Sequence, residues 1–167
     1  MKKYLILLDG PKGSGKSTLS GLLKQNLSNT EFFSLDGERK LLERTDSIDN
    51  DNKRAFQVIT KKLKDVFEQN KNAVIDSGIS EERLKTLEMI SNKYDVHFHK
   101  FSLIAPYDVL HSRVKERDES KGRDFDKNRF DYTFKAQQSK SFDDFCIIDS
   151  SKLSPQEMFE IVYSKLC

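Results

Sequence analysis

A glycine-rich octet near the N-terminus carries the clearest chemistry in the sequence. It reads Gly10-Pro11-Lys12-Gly13-Ser14-Gly15-Lys16-Ser17 and satisfies the pattern G-x-x-x-x-G-K-[ST]. Glycines let such a loop turn so that consecutive backbone N–H groups point at anionic oxygens, and a following helix adds the positive end of its dipole. We expect Lys16 to reach the β- and γ-phosphates of a triphosphate and the Ser17 hydroxyl to ligate a bridging Mg²⁺. The alternative is an ordinary glycine-rich turn.

Two arginines lie four residues apart in a segment with helical spacing. Arg113 and Arg117 therefore project from one helix face, where two guanidinium forks can grip one polyphosphate. A charged, glycine-containing segment follows at 118–126 and breaks the periodicity, which is typical of a mobile connection. The pattern indicates a lid over about 113–127, the alternative being a solvated helix face with Glu116 and Asp118 as ion-pair partners.

The elements that must position these residues alternate between strand and helix. Continuous apolar runs predict buried parallel strands at 4–8, 31–35, 73–76, 96–104 and 145–148. Helical spacing predicts helices after the octet, from near Asp51 or Asn52, from Ser80, over 107 to about 117, around Phe130 and Phe134, and from the capping box at Ser154 to Glu157. Parallel sheets bind ligands beyond the carboxyl ends of their strands, and the octet follows such an end.

Composition limits the function classes. The 167 residues suit one domain over 1–167, and a net charge of +2 does not by itself require a nucleic-acid partner. The N-terminal apolar run is too short to cross a bilayer, so we expect no membrane association. Cys146 and Cys167 form no disulfide framework or zinc spacing, which fits a reducing, cytoplasmic location.

The motifs together resemble the P-loop kinases over nearly the whole chain. They are the octet, Ser34-Leu35-Asp36-x-x-Arg39, Val74-Ile75-Asp76-Ser77, Arg113-x-x-x-Arg117 and Ile147-Ile148-Asp149-Ser150-Ser151. The chain is most similar to the branch that contains phage-type polynucleotide 5′-hydroxyl kinases, with adenylylsulfate kinases and antibiotic phosphotransferases as relatives. The resemblance implies an α/β fold with a five-stranded parallel sheet in the order 2-3-1-4-5, helices on both faces and a lid.

The resemblance also implies roles for single residues. ATP is the implied nucleotide, held by residues 10–17 and Thr18, with Mg²⁺ as the implied metal. Asp36 takes the position of the aspartate that accepts the proton of the acceptor hydroxyl, and Arg39 would hold an acceptor phosphate or the transferring group. Asp76 takes the position of an acidic residue that contacts the acceptor or the water shell of the metal. The alternatives are a turn at Asp36-Gly37, a surface arginine, and a capping or turn carboxylate ahead of Ser80.

Three functions stay open from the sequence. The first is a kinase for a nucleic-acid 5′-hydroxyl or a nucleotide, and the second is a kinase for a small metabolite or drug hydroxyl. The third is a regulatory module that binds nucleotide without transferring phosphate, against which Asp36 and the paired arginines argue. No basic path or aromatic stacking platform for a polynucleotide is legible, so the acceptor and the oligomeric state are not predicted.

Overall fold

The apolar runs of the sequence form the strands of one parallel sheet. A computed structural model describes residues 2–140 and 143–166, so Cys167 lies outside the described residues. The strands are β1 (Tyr4–Asp9), β2 (Thr30–Ser34), β3 (Asn72–Asp76), β4 (His97–Ile104) and β5 (Cys146–Asp149). Their spatial order is β2-β3-β1-β4-β5, which confirms the predicted topology.

Helices connect the strands and cover both faces of the sheet. They are α1 (Lys16–Asn26), α2 (Leu35–Leu41), α3 (Ile48–Glu68), α4 (Glu81–Lys93), α5 (Tyr107–Ser120), α6 (Lys127–Gln138) and α7 (Pro155–Ser164). The predicted capping box is present at Ser154 and Glu157, where each side chain bonds the backbone N–H of the other, and Pro155 begins α7.

Alternation along β1 divides the core into two layers. Leu5 and Leu7 pack with the apolar faces of α3 and α4, whereas Ile6 and Leu8 pack with α1 and α7. All four side chains are fully buried, and each contributes about 1.5–3 kcal/mol relative to an exposed position. The central strand is thus held from both sides, and the loop that follows it begins from a rigid base.

Among the predicted boundaries that differ from the structure, two are explained by helix caps. The second strand ends at Ser34 rather than at residue 35, because the Ser34 side chain accepts a bond from Gly37 N and caps α2. The long helix begins at Ile48, not near Asp51 or Asn52. Ser47 caps it, and the Asp51 carboxylate instead accepts bonds from the Thr45 backbone and hydroxyl, which closes the preceding loop.

Helices α5 and α6 share a small core of their own. Leu110, Val114 and Phe130 are buried together between α5 and α6, and the Tyr107 hydroxyl donates to Asp131 at 2.5 Å. Helix α5 runs on to Ser120, so the connection between the helices is 121–126, shorter than the predicted break at 118–126. Within it Arg123 bonds Asp118 at 2.8 Å, which ties the connection back to α5.

Across 2–140 and 143–166, no helix is both long and apolar enough to cross a membrane.

Candidate active site

The glycine-rich octet wraps the carboxyl end of β1. Gly15 has φ of 96° and is the residue from which α1 starts at Lys16. The Lys16 ammonium donates to the carbonyl oxygens of Gly10 at 2.7 Å and Pro11 at 3.1 Å. The lysine is therefore held over the loop, at the N-terminal end of a helix, where phosphate oxygens bind.

Two of the glycines are required by close packing as well as by conformation. Gly10 has φ of 148°, and a Cβ there would come within 2.4 Å of the Leu103 carbonyl oxygen on β4. Gly13 has φ of 82°, and a Cβ there would meet Val114 at 3.0 Å and the Leu110 carbonyl oxygen at 3.1 Å. The loop thus packs closely against β4 on one side and helix α5 on the other.

The Ser17 hydroxyl donates to the Asp76 carboxylate at 2.8 Å, which joins the start of α1 to the end of β3. Hydroxyl and carboxylate oxygens are the hard ligands that Mg²⁺ prefers. Ser14 Oγ is buried and has no hydrogen-bond partner among the described residues, so the loop holds a polar atom available to an anionic oxygen. The residues present therefore fit a magnesium–triphosphate complex. The capping alternative for Asp76 is wrong, because Ser80 caps α4 through Arg83 N.

Burial shifts the pKa values of Asp76 and Lys16. Loss of hydration raises the pKa of Asp76, although the nearby Lys16 and the Ser17 bond oppose the shift. Burial likewise lowers the pKa of Lys16, and the carboxylates of Asp76, Asp9 and Asp36 oppose it. The charges of three carboxylates thus act on the ammonium that is expected to grip phosphate.

Asp36 lies in the first turn of α2, so the turn interpretation of Asp36-Gly37 is wrong. Its carboxylate is exposed and accepts from Arg39 Nη2 at 2.8 Å, at the i,i+3 spacing that the sequence suggests for a helix. Arg39 also donates to Asn52 of α3 at 3.2 Å, which fixes its guanidinium. Helix α2 therefore presents an accessible carboxylate, and its charge acts to raise the pKa of both Lys12 and Lys16.

The two arginines of the predicted lid, Arg113 and Arg117, have different surroundings. The Arg113 guanidinium donates to the Gly13 carbonyl at 3.2 Å and to the Ser150 carbonyl and hydroxyl at 2.8 and 3.0 Å. It thereby clamps the octet to the turn after β5. The charge of Arg117 contributes to the lowered pKa of Lys12. Its Nε lies 3.7 Å from a carboxylate oxygen of Asp118. A polyphosphate contact by either side chain stays a prediction.

Arg129 is a residue that the sequence interpretation did not include, and its charge acts on Lys12 of the octet. Much of the Lys12 side chain is accessible, yet loss of hydration at its ammonium lowers its pKa, and Arg129 and Arg117 lower it further. Arg129 lies in the first turn of α6. The only signal in the sequence was an arginine just after the predicted break at 118–126. Single arginines at such positions are too common to indicate a site.

Asp9 is the second residue missed. It ends β1, is fully buried, and its carboxylate accepts from Ile79 N at 2.9 Å and from Gln137 Nε2 at 2.6 Å. The Lys140 ammonium lies 4.0 Å from it and donates to Gln137 Oε1 at 2.7 Å. A charged residue at the end of an otherwise apolar strand, directly before the octet, was the available signal.

His97 and His99 stack on each other along β4 with ring centroids 6.3 Å apart. Burial, and then the neighbouring His97, lower the pKa of His99. Within the described part of the chain, no group of three or more His, Cys, Asp and Glu side chains could hold a metal ion.

Comparisons with known proteins agree with this architecture. A family model described as an AAA domain, AAA_33, matches residues 5–140, whereas no curated protein matches the chain. Among solved structures, the Deinococcus radiodurans tunicamycin resistance protein is 19% identical with a TM-score of 0.70, covering 99% of this chain and 96% of its own. A gluconokinase from Sinorhizobium meliloti 1021 is 15% identical with a TM-score of 0.71, covering 98% and 91%.

A third similar structure is the Pnkp1/Rnl/Hen1 RNA repair complex. It is 19% identical with a TM-score of 0.69, and the match covers 82% of this chain but 44% of that one. At these identities the likeness shows the fold alone. The family match spans most of the chain and includes the glycine-rich octet, the Ser17–Asp76 pair, Arg113 and Arg117. The chain therefore belongs to the AAA_33 family of AAA domains, and its fold is that of the P-loop kinases.

Proposed function

We propose that the protein is an ATP-dependent kinase that moves the γ-phosphate of Mg·ATP onto an acceptor hydroxyl. The observation that carries the proposal is the Ser17–Asp76 bond of 2.8 Å beside the Lys16 ammonium. Together these groups offer two oxygen ligands for Mg²⁺ and a cation for the β- and γ-phosphates. When bound, Mg²⁺ would neutralise phosphate charge as the transferred group moves.

In the proposed reaction the acceptor oxygen forms a bond to the γ-phosphorus, and the bond from that phosphorus to the β,γ-bridging oxygen breaks. ADP leaves with the bridging oxygen, and the hydroxyl proton passes to the Asp36 carboxylate. Lys12, Arg117 and Arg129 would stabilise the negative charge of the transferring group, because Lys12 belongs to the octet and the charges of both arginines act on it.

Two acceptor classes remain in the proposal. The motif resemblance and the RNA repair structure support a nucleic-acid 5′-hydroxyl or a nucleotide. The tunicamycin resistance protein and the gluconokinase support a drug or small metabolite. A regulator that only binds nucleotide is disfavoured by the accessible carboxylate of Asp36 beside the cradle.

The test is transfer of label from γ-labelled ATP to a panel of acceptors. The panel comprises single-stranded oligonucleotides with 5′-hydroxyl ends, nucleosides, nucleoside monophosphates, sugars and hydroxylated aromatic compounds. Transfer to at least one acceptor, abolished in Lys16→Ala and retained in the exposed control Lys24→Ala, supports the kinase. Transfer that persists in Lys16→Ala contradicts the proposed cradle.

A further inference from the structure

One face of α3 connects the proposed base to an arginine of α4. Arg39 donates to the Asp36 carboxylate at 2.8 Å and to the Asn52 side chain of α3 at 3.2 Å. Phe56 follows Asn52 by four residues, so the two side chains lie on the same helix face, about 5–6 Å apart at Cβ. The Arg83 guanidinium carbon lies over the Phe56 ring, 5.6 Å from its centroid. A continuous row of contacts therefore runs from Asp36 to Arg83.

The Arg83 guanidinium is held by an aromatic ring, while its N–H donors have no partner among the described residues. The face of the Phe56 ring attracts the cation and so restricts its position. Across 2–140 and 143–166, no group accepts a hydrogen bond from this guanidinium, and no carboxylate oxygen lies within 4.0 Å of its nitrogens. Burial lowers the pKa of Arg83, and the charges of Asp49 and Glu82 oppose the shift. The planar fork is thus available to a carboxylate or phosphate, which it can bind with two parallel bonds.

Lys140 adds a second cation near the start of α4. Its ammonium lies 4.0 Å from the buried Asp9 carboxylate, which accepts from Ile79 N directly before the cap of α4. Loss of hydration lowers the pKa of Lys140, and the Asp9 carboxylate opposes the shift. The positive charges of Lys16 and Arg83 lower this pKa further. Because an anionic group beside Lys140 and Arg83 would relieve their repulsion, the two side chains favour a negatively charged ligand.

Acidic side chains around this row of contacts limit the ligand to one anionic group. Asp49 is exposed and precedes Asn52 by three residues on α3, and the exposed Glu82 directly precedes Arg83 on α4. Sites for single-stranded nucleic acids instead use a positively charged groove with exposed aromatic platforms. Phe56 is only 8% exposed and offers no such platform. The surroundings therefore fit a compact molecule with a single negative group, because further phosphates would meet these carboxylates.

We propose that Arg83 and Lys140 bind an anionic group of the acceptor, a phosphate or a carboxylate, while the acceptor hydroxyl lies at Asp36. The two cations thereby select a compact acceptor with one negative group. The hydroxyl and the anionic group should be separated by about 5 Å or more, because the row of contacts follows about one turn of α3. This inference rests on the proposed kinase function for the word acceptor, but the anion site can be tested without any transfer.

The binding test follows amide signals of ¹⁵N-labelled protein during titration with two pairs of probes. The pairs are ribose with ribose 5-phosphate, and benzyl alcohol with 4-(hydroxymethyl)benzoate, so the members of each pair differ by one anionic group. We expect the anionic members to shift the amides of Asn52, Arg83 and Lys140, and the neutral members to leave them in place. Shifts confined to the octet amides would mean binding at the phosphate cradle alone and overturn the inference. Equal responses to neutral members, or a stronger response to a 5′-hydroxyl oligothymidylate, overturn it as well.

Variants that remove one charge test each cation. In Arg83→Gln and in Lys140→Gln the dissociation constant for the anionic probes should rise by about tenfold or more, because bonds between charged groups are lost. The matched controls are Lys85→Gln on α4 and Lys135→Gln on α6, both at exposed lysines, and they should bind like the parent. Arg83→Lys keeps the charge without the planar fork, so it should recover part of the affinity. Parent-like binding in Arg83→Gln or in Lys140→Gln contradicts the site.

Transfer assays separate this inference from the kinase proposal. Both stand if the parent prefers the anionic member of a pair and Arg83→Gln raises the KM for that member alone, with kcat and the KM for ATP unchanged. If the neutral members are equally good acceptors, or if only the oligonucleotide is phosphorylated, the kinase stands and this inference fails. If the anionic probes bind as described but no acceptor in the panel is phosphorylated, Arg83 and Lys140 stand as an anion site, and its assignment to an acceptor fails together with the proposed function.

Discussion

The sheet brings the Ser17 hydroxyl and the Asp76 carboxylate together, and in the proposed function both are Mg²⁺ ligands. Sequence places them on separate elements, and the adjacency of β1 and β3 brings their oxygens to 2.8 Å. Since a hydroxyl and a carboxylate supply only part of an octahedral shell, the phosphates and water must complete it.

Ser17→Ala should weaken the dependence of transfer on Mg²⁺ while the backbone cradle survives. We expect the half-saturating Mg²⁺ concentration to rise by about tenfold or more, because one ligand is lost. Titration of Mg²⁺ at fixed ATP measures this, with Ser20→Ala on the same helix as the control. Superimposable titrations of parent and Ser17→Ala would remove Ser17 from the metal site.

Asp36→Asn keeps the size of the side chain and removes the basic carboxylate. We expect turnover to fall by about 10²–10⁴ if Asp36 is the general base, nearer the low end if the transition state is loose. The dissociation constant for ATP should change little, and the lost exposed pair with Arg39 should cost no more than about 1 kcal/mol of stability.

The comparison is made at saturating ATP and acceptor, with the exposed Asp65→Asn as the control. A rate within about threefold of the parent would return Asp36 to a structural role and make Asp76 the candidate base.

Lys12 gives a pH dependence whose sign follows from its lowered pKa. Its ammonium loses a proton at a lower pH than an ordinary lysine with a pKa of 10.5, whereas bound triphosphate favours the charged form. Affinity for ATP should therefore be constant at lower pH and decrease as pH rises through that lowered pKa. Lys12→Arg stays charged, so its decrease should begin at a higher pH. Identical profiles from fluorescent-nucleotide binding would exclude Lys12 from the phosphate site.

At the scale of elements, α5 and α6 are held together by their own side chains, and we expect them to act as a lid. The cluster of Leu110, Val114 and Phe130 ties the helices together, and Arg113 ties α5 to the octet. We expect the pair to move as a unit about the connection to β4, with 121–126 as the least constrained part.

Hydrogen exchange tests this motion. Amides of 121–126 should exchange fast in the free protein and become protected when ATP and acceptor are both present. Residues 28–30, at the opposite edge of the sheet, should not respond. High protection in 121–126 that ignores both ligands would contradict a closing lid.

The sequence predicted those elements that local patterns encode, and it missed features that depend on contacts between distant residues. Strand runs and helical spacing predicted the strand–helix alternation, because these signals are local, and the family resemblance supplied the strand order, which the structure confirms. The start of α3 was missed since the Asp51 carboxylate bonds backward to Thr45, a choice that an N-cap pattern cannot distinguish. The Asp9–Gln137 bond joins residues 128 positions apart, so no local pattern could reveal it.

At the scale of the whole molecule, ligand binding and stability are linked. The cradle is assembled from β1, β4 and α5, so a ligand that binds the folded site stabilises all of them together. At a Mg·ATP concentration of about 100 Kd the gain should be about 2.7 kcal/mol, seen as a rise in the thermal midpoint. Lys16→Ala should lose most of this rise at the same concentration. An equal rise in Lys16→Ala would mean that the nucleotide binds elsewhere.

The central position of β1 has a consequence for the order of folding. Its partners are Ala73 on β3 and His97 on β4, which pair with Leu5 and Tyr4, so they are synthesised about 70 and about 90 residues after it. Contacts of such high sequence separation form slowly, and a nascent chain must hold its most apolar strand unpaired until both neighbours emerge. Because the octet also rests on Leu103 and α5, a growing chain becomes competent for nucleotide only after most of the domain has left the ribosome. Chaperone dependence during synthesis is the expected consequence of building a phosphate site on the first strand.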